Sequence, residues 1–150
     1  MVPSSRVLRA GPVEITAEVA SVFGITTSVP AIALERLRLA DGIPMAIEYA
    51  VIPTDNSRLL DEDLTSGSLH AAFERAGRVP TRALAEVGAR MATKRERDLL
   101  ELRANGIILT EVRTIFDQHD APLEHTSTLY AAERYLFSAV LYRDDEGLPS

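Results

Sequence analysis

Apolar residues along the chain fall into runs separated by short polar segments, and these runs indicate the order of secondary-structure elements. Apolar-rich runs bounded by turn-forming residues are typical of strands. Such runs occupy residues 6–10, Ala31–Ala40, 44–52, 107–116, 123–130 and 135–142. Residues 81–92 mix larger apolar residues with alanines, so this segment is compatible with either a strand or a helix.

Helical spacing of apolar residues predicts two short helices, over residues 12–23 and 68–76. A third helix is predicted over residues 93–102, because Thr93 and Glu96 form the S/T-x-x-E pattern of a capping box. Consecutive strands joined by short turns favour an α+β domain. We therefore expect a mainly antiparallel β-sheet with helices packed on one face.

The clearest local signal is a hairpin whose turn is the pair Asp41-Gly42, a combination typical of tight turns between strands. In its first strand Arg36 and Arg38 are two residues apart, so their side chains project from the same face. Neighbouring guanidinium groups repel each other unless an anion or a carboxylate bridges them, and arginine suits bidentate contacts with phosphate or carboxylate. The two arginines are candidate anion ligands; the alternative is that they pair with acids on a solvent-exposed face.

The length of the hairpin loop decides which residue faces Glu48. A two-residue loop with regular pairing sets Glu48 opposite Glu35, whereas a three-residue loop that pairs Ala40 with Pro44 sets it opposite Arg36. We favour the three-residue loop because it avoids a pair of like charges. Glu48 then joins the two arginines on one face and offers an acceptor for a hydroxyl group.

Four further residues are candidate ligand contacts. Ser68 stands at a predicted helix start, where free N–H groups attract anions, although an ordinary N-cap looks the same in sequence. His70, in the first turn, either contacts a ligand or lies on the surface. Glu124 and Tyr130 are six residues apart on one predicted strand, which puts them on one face. An acid and a phenol suit a hydroxyl-rich ligand; equally, they are an exposed strand residue and an aromatic at the edge of the core.

Composition narrows the classes of function. The 150 residues fit one compact domain, and a net charge of −6 disfavours direct binding to nucleic acid. Cysteine is absent, which excludes disulfides and thiolate metal sites. No P-loop, nucleophile elbow or zinc-protease motif is present, so we predict no catalytic residue, no metal and no cofactor. Without a secretory signal or a membrane-length apolar run, a cytoplasmic location is expected.

Several short segments occur in a fixed order along the chain. They are Arg36-Leu37-Arg38, Ala40-Asp41-Gly42-Ile43-Pro44, Glu48-Tyr49, Ile52-Pro53, Gly67-Ser68-Leu69, Arg113 before Phe116-Asp117, Pro122-Leu123-Glu124, and Tyr130-Ala131-Ala132-Glu133-Arg134-Tyr135-Leu136-Phe137. In combination they resemble the UTRA domain, the effector-binding half of HutC-type regulators within the GntR family of bacterial transcription factors. The resemblance covers residues 7–142.

The resemblance implies a chorismate-lyase-like fold that encloses a small anionic metabolite, with a sugar phosphate favoured. In sugar-phosphate sensors of this family, the two hairpin arginines and the serine at the helix start hold the phosphate, and the two glutamates and the tyrosine contact the remainder. His70 departs from the tyrosine that many members carry. The residues implied to bind ligand are Arg36, Arg38, Glu48, Ser68, His70, Glu124 and Tyr130.

The resemblance also sets expectations for organisation and partners. Residues 1–5 are expected to be disordered or left over from an expression vector, and residues 6–145 to form the single effector-binding domain. The winged-helix DNA-binding domain of the family is not in this chain, so contact with DNA is expected only through such an N-terminal domain. A homodimer and allosteric control of DNA binding are implied. The alternatives are a chorismate-lyase-like enzyme and a dimerisation module with a degenerate pocket.

Overall fold

The computed structural model describes residues 1–54 and 69–143. The strands are β1 (Pro3–Val13), β2 (Ala31–Ala40), β3 (Ile43–Pro53), β4 (Pro80–Met91), β5 (Ile107–Asp117) and β6 (Pro122–Ala131). The helices are α1 (Ala17–Phe23), α2 (Leu69–Arg75) and α3 (Lys94–Leu100), and a 3-10 turn covers Ala132–Arg134. The strands form one antiparallel sheet in the order β1-β2-β3-β6-β5-β4. The α+β class and the antiparallel sheet are confirmed.

The helices are divided between the two faces of the sheet, which corrects the expectation that they share one face. Phe73 of α2 packs with Leu34 and Ile52 on one face. Leu100 of α3 packs with Leu37 on the other, and α1 covers that same face further along. Alternation along β2 makes this division possible, because its even-numbered residues point to one face of the sheet and its odd-numbered residues to the other, where they pack in different apolar clusters.

Capping residues set the ends of α1 and α3. The N–H of Val19 donates to the hydroxyl of Thr16, and Gly24 closes α1 at φ 72°. The predicted start at residue 12 is wrong because β1 continues to Val13. In α3 the capping box of Thr93 and Glu96 is confirmed, with both reciprocal hydrogen bonds present.

The hairpin turn differs from the prediction, although the predicted opposition of Arg36 and Glu48 is confirmed. Asp41 and Gly42 both have positive φ, 51° and 76°, as a two-residue type I′ turn requires. Ala40 therefore pairs with Ile43 across a two-residue loop, not a three-residue one. The register then shifts between Arg38 and Leu39, where β3 carries one extra residue. This bulge, which sequence alternation does not reveal, restores the favourable pairing.

Both ends of the described chain differ from the predictions in secondary structure. The first strand was predicted to begin at residue 6, but Pro3, Ser4 and Ser5 already pair with β2. Residues 135–142 were predicted as a strand but do not join the sheet, and Leu136 and Leu141 are 87% and 89% exposed. Alternation shows that a segment suits a strand, but a strand also needs a neighbouring edge to pair with. The ambiguous residues 81–92 do have one and form β4 beside β5.

Candidate functional site

A cavity of about 640 Å³ opens on the α2 face of the sheet. Its floor comes from adjacent residues of the four strands β2, β3, β6 and β5, and its rim includes residues from the two ends of the described chain. The lining residues are Met1, Arg36, Arg38, Leu39, Ala40, Met45, Ala46, Glu48, His70, Glu111, Arg113, Glu124, Thr126, Thr128, Tyr130, Arg134, Tyr135 and Leu136.

Six of the seven residues singled out from the sequence line this one cavity. The seventh, Ser68, lies outside the described residues. Strand pairing explains the convergence, because Arg36 faces Glu48 across β2 and β3, and Glu48 faces Thr128 of β6. Thr128 in turn faces Glu111 of β5. A polar row thus crosses four strands, and its two ends carry opposite charge.

The two hairpin arginines lie in different electrostatic environments. Arg36 is 2% exposed and donates through Nη2 to Oε1 of Glu48 at 2.5 Å. Arg38, which also lines the cavity, forms no hydrogen bond and no ion pair with any residue in the described part of the chain. Its charge is not compensated locally, and Arg36 stands two residues away. This end of the cavity is therefore suited to an anionic group that both guanidinium groups can contact.

The other end of the cavity contains His70 and Glu124. Nε2 of His70 lies 3.1 Å from Oε1 of Glu124, whose side chain is only 6% exposed. The hydrogen bond to Glu124 outweighs partial burial and raises the pKa of His70 above its usual 6.5. Within the described residues, Oε2 of Glu124 and the hydroxyl of Thr126 have no hydrogen-bond partner. These two buried acceptors can bind donors on a ligand.

One wall of the cavity contains Glu111 and Arg113, which the sequence analysis did not single out as ligand contacts, together with Tyr130, which it did. Nη2 of Arg113 lies 3.1 Å from Oε2 of Glu111, and both side chains face the cavity from β5. The hydroxyl of Tyr130 donates to Oε1 of Glu111 at 3.4 Å, and its ring stacks on Tyr135 with centroids 3.8 Å apart. Burial raises the pKa of Tyr130, which keeps its hydroxyl protonated and able to donate. The two-residue spacing of Glu111 and Arg113, the same as that of the hairpin arginines, is the signal that could have found them.

Arg134 has a structural position at the rim. It donates to the carbonyl oxygens of Pro44, Leu100 and Glu101 at 2.8, 2.6 and 2.9 Å. These bonds join the 3-10 turn to the hairpin and to the C-terminal end of α3, where free carbonyl groups favour a cation. Its guanidinium is therefore committed to the backbone, which distinguishes it from Arg38.

Two kinds of feature are not found in the part of the chain that the structure describes. Over residues 1–54 and 69–143, no cluster of three or more histidine, aspartate or glutamate side chains is arranged to hold a metal ion. None of the helices described is long and apolar enough to cross a membrane.

Residues 1–136 match the family model of the UTRA domain, so the chain belongs to the UTRA domain family. This is a regulatory domain of GntR-family transcription regulators and not an enzyme. The chain is 31% identical over 138 residues to the HTH-type transcriptional repressor NagR of Bacillus subtilis, covering 91% of this chain and 57% of NagR. It is 27% identical over 132 residues to the repressor PhnF of Mycolicibacterium smegmatis, covering 87% of this chain and 54% of PhnF.

Solved structures show the same fold. The crystal structure of PhnF from Mycobacterium smegmatis superposes with a TM-score of 0.88 at 24% identity, over 95% of this chain and 64% of that one. The separate effector domain of PhnF gives a TM-score of 0.86, also at 24% identity, over 94% of this chain and 88% of that domain. The chain thus spans about half the length of the curated relatives it matches.

Proposed function

We propose that this chain is the effector-sensing domain of a GntR-type transcription regulator and that it binds a small anionic metabolite in the cavity. The observation that carries the proposal is Arg38, a cavity-lining cation without a partner in the described residues, beside the buried Arg36. The other cationic side chains that line the cavity have partners within the described residues. Arg113 pairs with Glu111, His70 with Glu124, and Arg134 donates to backbone carbonyl groups.

A sugar phosphate fits both ends of the cavity. The phosphate would lie against Arg36 and Arg38. The free acceptors belong to Glu124 and Thr126 on β6. Glu124 lies four residues and Thr126 two residues before Thr128, the β6 member of the polar row that begins at Arg36. At about 3.3 Å per residue, Glu124 is about 13 Å along the strand from that row. This separation suits a ligand with an anionic group at one end and hydroxyl or amine donors at the other.

Regulation is proposed to act through a DNA-binding domain on the N-terminal side, because this chain is acidic and covers only about half of its repressor relatives. Effector binding would alter the arrangement of such domains, and couplings of this kind are typically worth about 1–3 kcal/mol. We further propose a homodimer, which would present two DNA-binding domains. As part of a bacterial transcription regulator, the domain would act in the cytoplasm.

A thermal-shift screen tests the proposal. The purified chain would be mixed with sugar phosphates, inorganic phosphate, sulfate and small carboxylates, and its melting temperature recorded with each. A compound at about 100 times its dissociation constant stabilises the folded state by about 2.7 kcal/mol. We expect at least one phosphorylated compound to raise the melting temperature and to do so more than inorganic phosphate alone.

Arg38→Gln is the test variant and Arg103→Gln is its matched control. Arg38 has no partner whose loss would destabilise the fold, and Arg103 is an exposed arginine that does not line the cavity. The shift should disappear in Arg38→Gln and persist in Arg103→Gln. If no anion stabilises the folded chain, or if Arg38→Gln responds like the control, the anionic-effector proposal is wrong.

A further inference from the structure

The pair formed by His70 and Glu124 joins α2 to the sheet at one side of the cavity. His70 lies in the first turn of α2, and Glu124 belongs to β6, which contributes to the cavity floor. The side chain of His70 is 44% exposed, whereas that of Glu124 is 6% exposed. Protons from solvent can therefore reach the imidazole, while the carboxylate beside it is largely removed from water.

His70 is the only hydrogen-bond partner of Glu124 in the part of the chain that the structure describes. Nε2 of His70 lies 3.1 Å from Oε1, and the buried Oε2 has no partner there. A neutral imidazole can donate one hydrogen bond to the carboxylate, but only the protonated ring also supplies a positive charge. Because a buried charge without compensation is costly, Glu124 favours the protonated form of His70.

Charged groups from three strands act on His70. Glu124 of β6 and Glu48 of β3 favour the protonated imidazole, and Arg113 of β5 opposes it. On α2 itself, Glu74 lies one turn further along and is exposed. The imidazole is thus held between opposing charges, so its protonation can respond to a further charge that enters the cavity.

The net charge of the cavity lining depends on His70. Among the described residues, four arginines and three glutamates line the cavity: Arg36, Arg38, Arg113, Arg134, Glu48, Glu111 and Glu124. These side chains carry one net positive charge, and protonation of His70 adds a second. A dianionic group is therefore balanced in full only when His70 is protonated. The attraction between the two is stronger in a partly enclosed cavity than in bulk water.

We propose that binding of an anionic effector in the cavity is coupled to the uptake of a proton by His70, so that affinity increases as the pH falls. This coupling rests on the anionic effector of the proposed function and makes the proton a second ligand of the same site. Protonated His70 would still donate to Oε1 of Glu124, which leaves Oε2 free for a donor on the effector.

The direction of the coupling follows from linkage. If the effector binds the protonated form of His70 more tightly, the pKa of His70 must be higher in the complex than in the free chain. The pKa of His70 in the free chain is already above 6.5, because of the hydrogen bond to Glu124. The gain in affinity is complete below the pKa of the free chain and is lost as the pH rises through the pKa of the complex.

An NMR titration of the imidazoles, with and without sulfate, tests the coupling at the residue itself. Sulfate is the probe because it remains a dianion throughout, whereas a phosphate ester takes up a proton near pH 6, about the same range. Sodium chloride at equal ionic strength replaces sulfate in the reference sample. Saturating sulfate should raise the pKa of His70 by at least about 0.5, equivalent to about a threefold change in affinity. His125, on the opposite face of the sheet, should not respond.

The affinity for sulfate provides a second test, with His70→Gln as the variant and His119→Gln as its matched control. Glutamine can donate to Glu124 through its amide but cannot take up a proton. His119 is an exposed residue of the turn between β5 and β6 and does not line the cavity. Between about pH 6 and about pH 9, the dissociation constant from calorimetry should rise at least about twofold in the unmodified chain and in His119→Gln.

In His70→Gln the dissociation constant should not follow the pH in this way. Met1 also lines the rim, but its α-amino group is the same in all three proteins and cancels in the comparison. If sulfate binds and neither the pKa of His70 nor the affinity responds, or if His70→Gln keeps the full pH dependence, the coupling is wrong and the anion site stands. If sulfate does not bind the folded chain, the coupling also fails, and the phosphorylated compounds of the thermal-shift screen decide the proposed function.

Discussion

Replacing Asp117 with asparagine tests how the turn between β5 and β6 is held. Asp117 is 4% exposed, and its Oδ1 accepts hydrogen bonds from the N–H groups of His119 and Ala121 at 2.9 and 3.0 Å. Its Oδ2 accepts from Nε of Arg78 at 3.0 Å. Asparagine can keep the two backbone bonds through its carbonyl oxygen, but its NH₂ group then faces another donor on Arg78.

The expected loss follows from these three bonds. A hydrogen bond to a charged group contributes about 1.5–3 kcal/mol, against about 0.5–1.5 kcal/mol for a neutral one. Neutralising Asp117 therefore costs about 1 kcal/mol for each of the two backbone bonds. Loss of the partly exposed Arg78 contact adds about 1 kcal/mol more. We expect the free energy of unfolding to fall by about 3 kcal/mol in total.

Urea denaturation followed by circular dichroism measures this change, and Asp120→Asn is the matched control. Asp120 is three residues further along the same turn, with a side chain that is 73% exposed and paired to an exposed Arg82. Its replacement should cost no more than about 0.5 kcal/mol. The reasoning is refuted if the two variants differ by less than about 1 kcal/mol.

The pH dependence of the same variants gives an independent check. Burial opposes ionisation of Asp117, but the N–H groups of Ala121 and His119 and the guanidinium of Arg78 outweigh it and hold the pKa of Asp117 below its usual 3.8. A lowered carboxyl pKa stabilises the fold above that value, and the stabilisation is lost as the pH falls through the folded-state pKa. The difference between the unmodified chain and Asp117→Asn should therefore shrink below about pH 4.

Two further predictions concern His70 and the capping box. In an NMR titration the pKa of the His70 imidazole should lie above 6.5, because its hydrogen bond to Glu124 raises that pKa. Glu124→Gln should lower the pKa of His70. His125, whose pKa is lowered by burial, provides an internal reference. The stabilisation of the fold by the His70–Glu124 contact is present below pH 6.5 and is lost as the pH rises through the folded-state pKa of His70. An unchanged pKa of His70 in Glu124→Gln would show that Glu124 does not cause the shift. Thr93→Ala should lower the free energy of unfolding by about 1 kcal/mol in urea denaturation, and an unchanged midpoint would mean that the cap does not stabilise α3.

Strand parity explains why most of the candidate site could be predicted. Residues separated by an even number of positions on a regular strand share a face, so Arg36 and Arg38, or Glu124 and Tyr130, could be placed together before the fold was known. The structure places all four around one cavity. Their roles as ligand contacts remain predictions. Glu111 and Arg113 have the same two-residue spacing, but parity does not say which strands are neighbours, so the sequence did not place this pair beside the other four residues.

The hairpin shows where local reasoning reaches a correct result by a different route. The charges of Arg36 and Glu48 favour their opposition, and the turn residues Asp41 and Gly42 favour a two-residue loop. With regular pairing these two preferences conflict, and the predicted three-residue loop resolved the conflict incorrectly. The sheet satisfies both with a bulge in β3, where one extra residue lies between Pro44 and Ala46.

By itself the sequence determined the elements with strong local signals: the hairpin at Asp41, the cap at Thr93 and the charged faces of the strands. These depend on interactions between residues close along the chain, so a short window contains the physical cause. Only the tertiary structure decided the order of the strands, the division of the helices between two faces and the unpaired state of residues 135–142. Each of these features depends on contacts between segments that are distant in the sequence. A segment with a suitable pattern, for example, forms a strand only when the edge of another strand receives its hydrogen bonds.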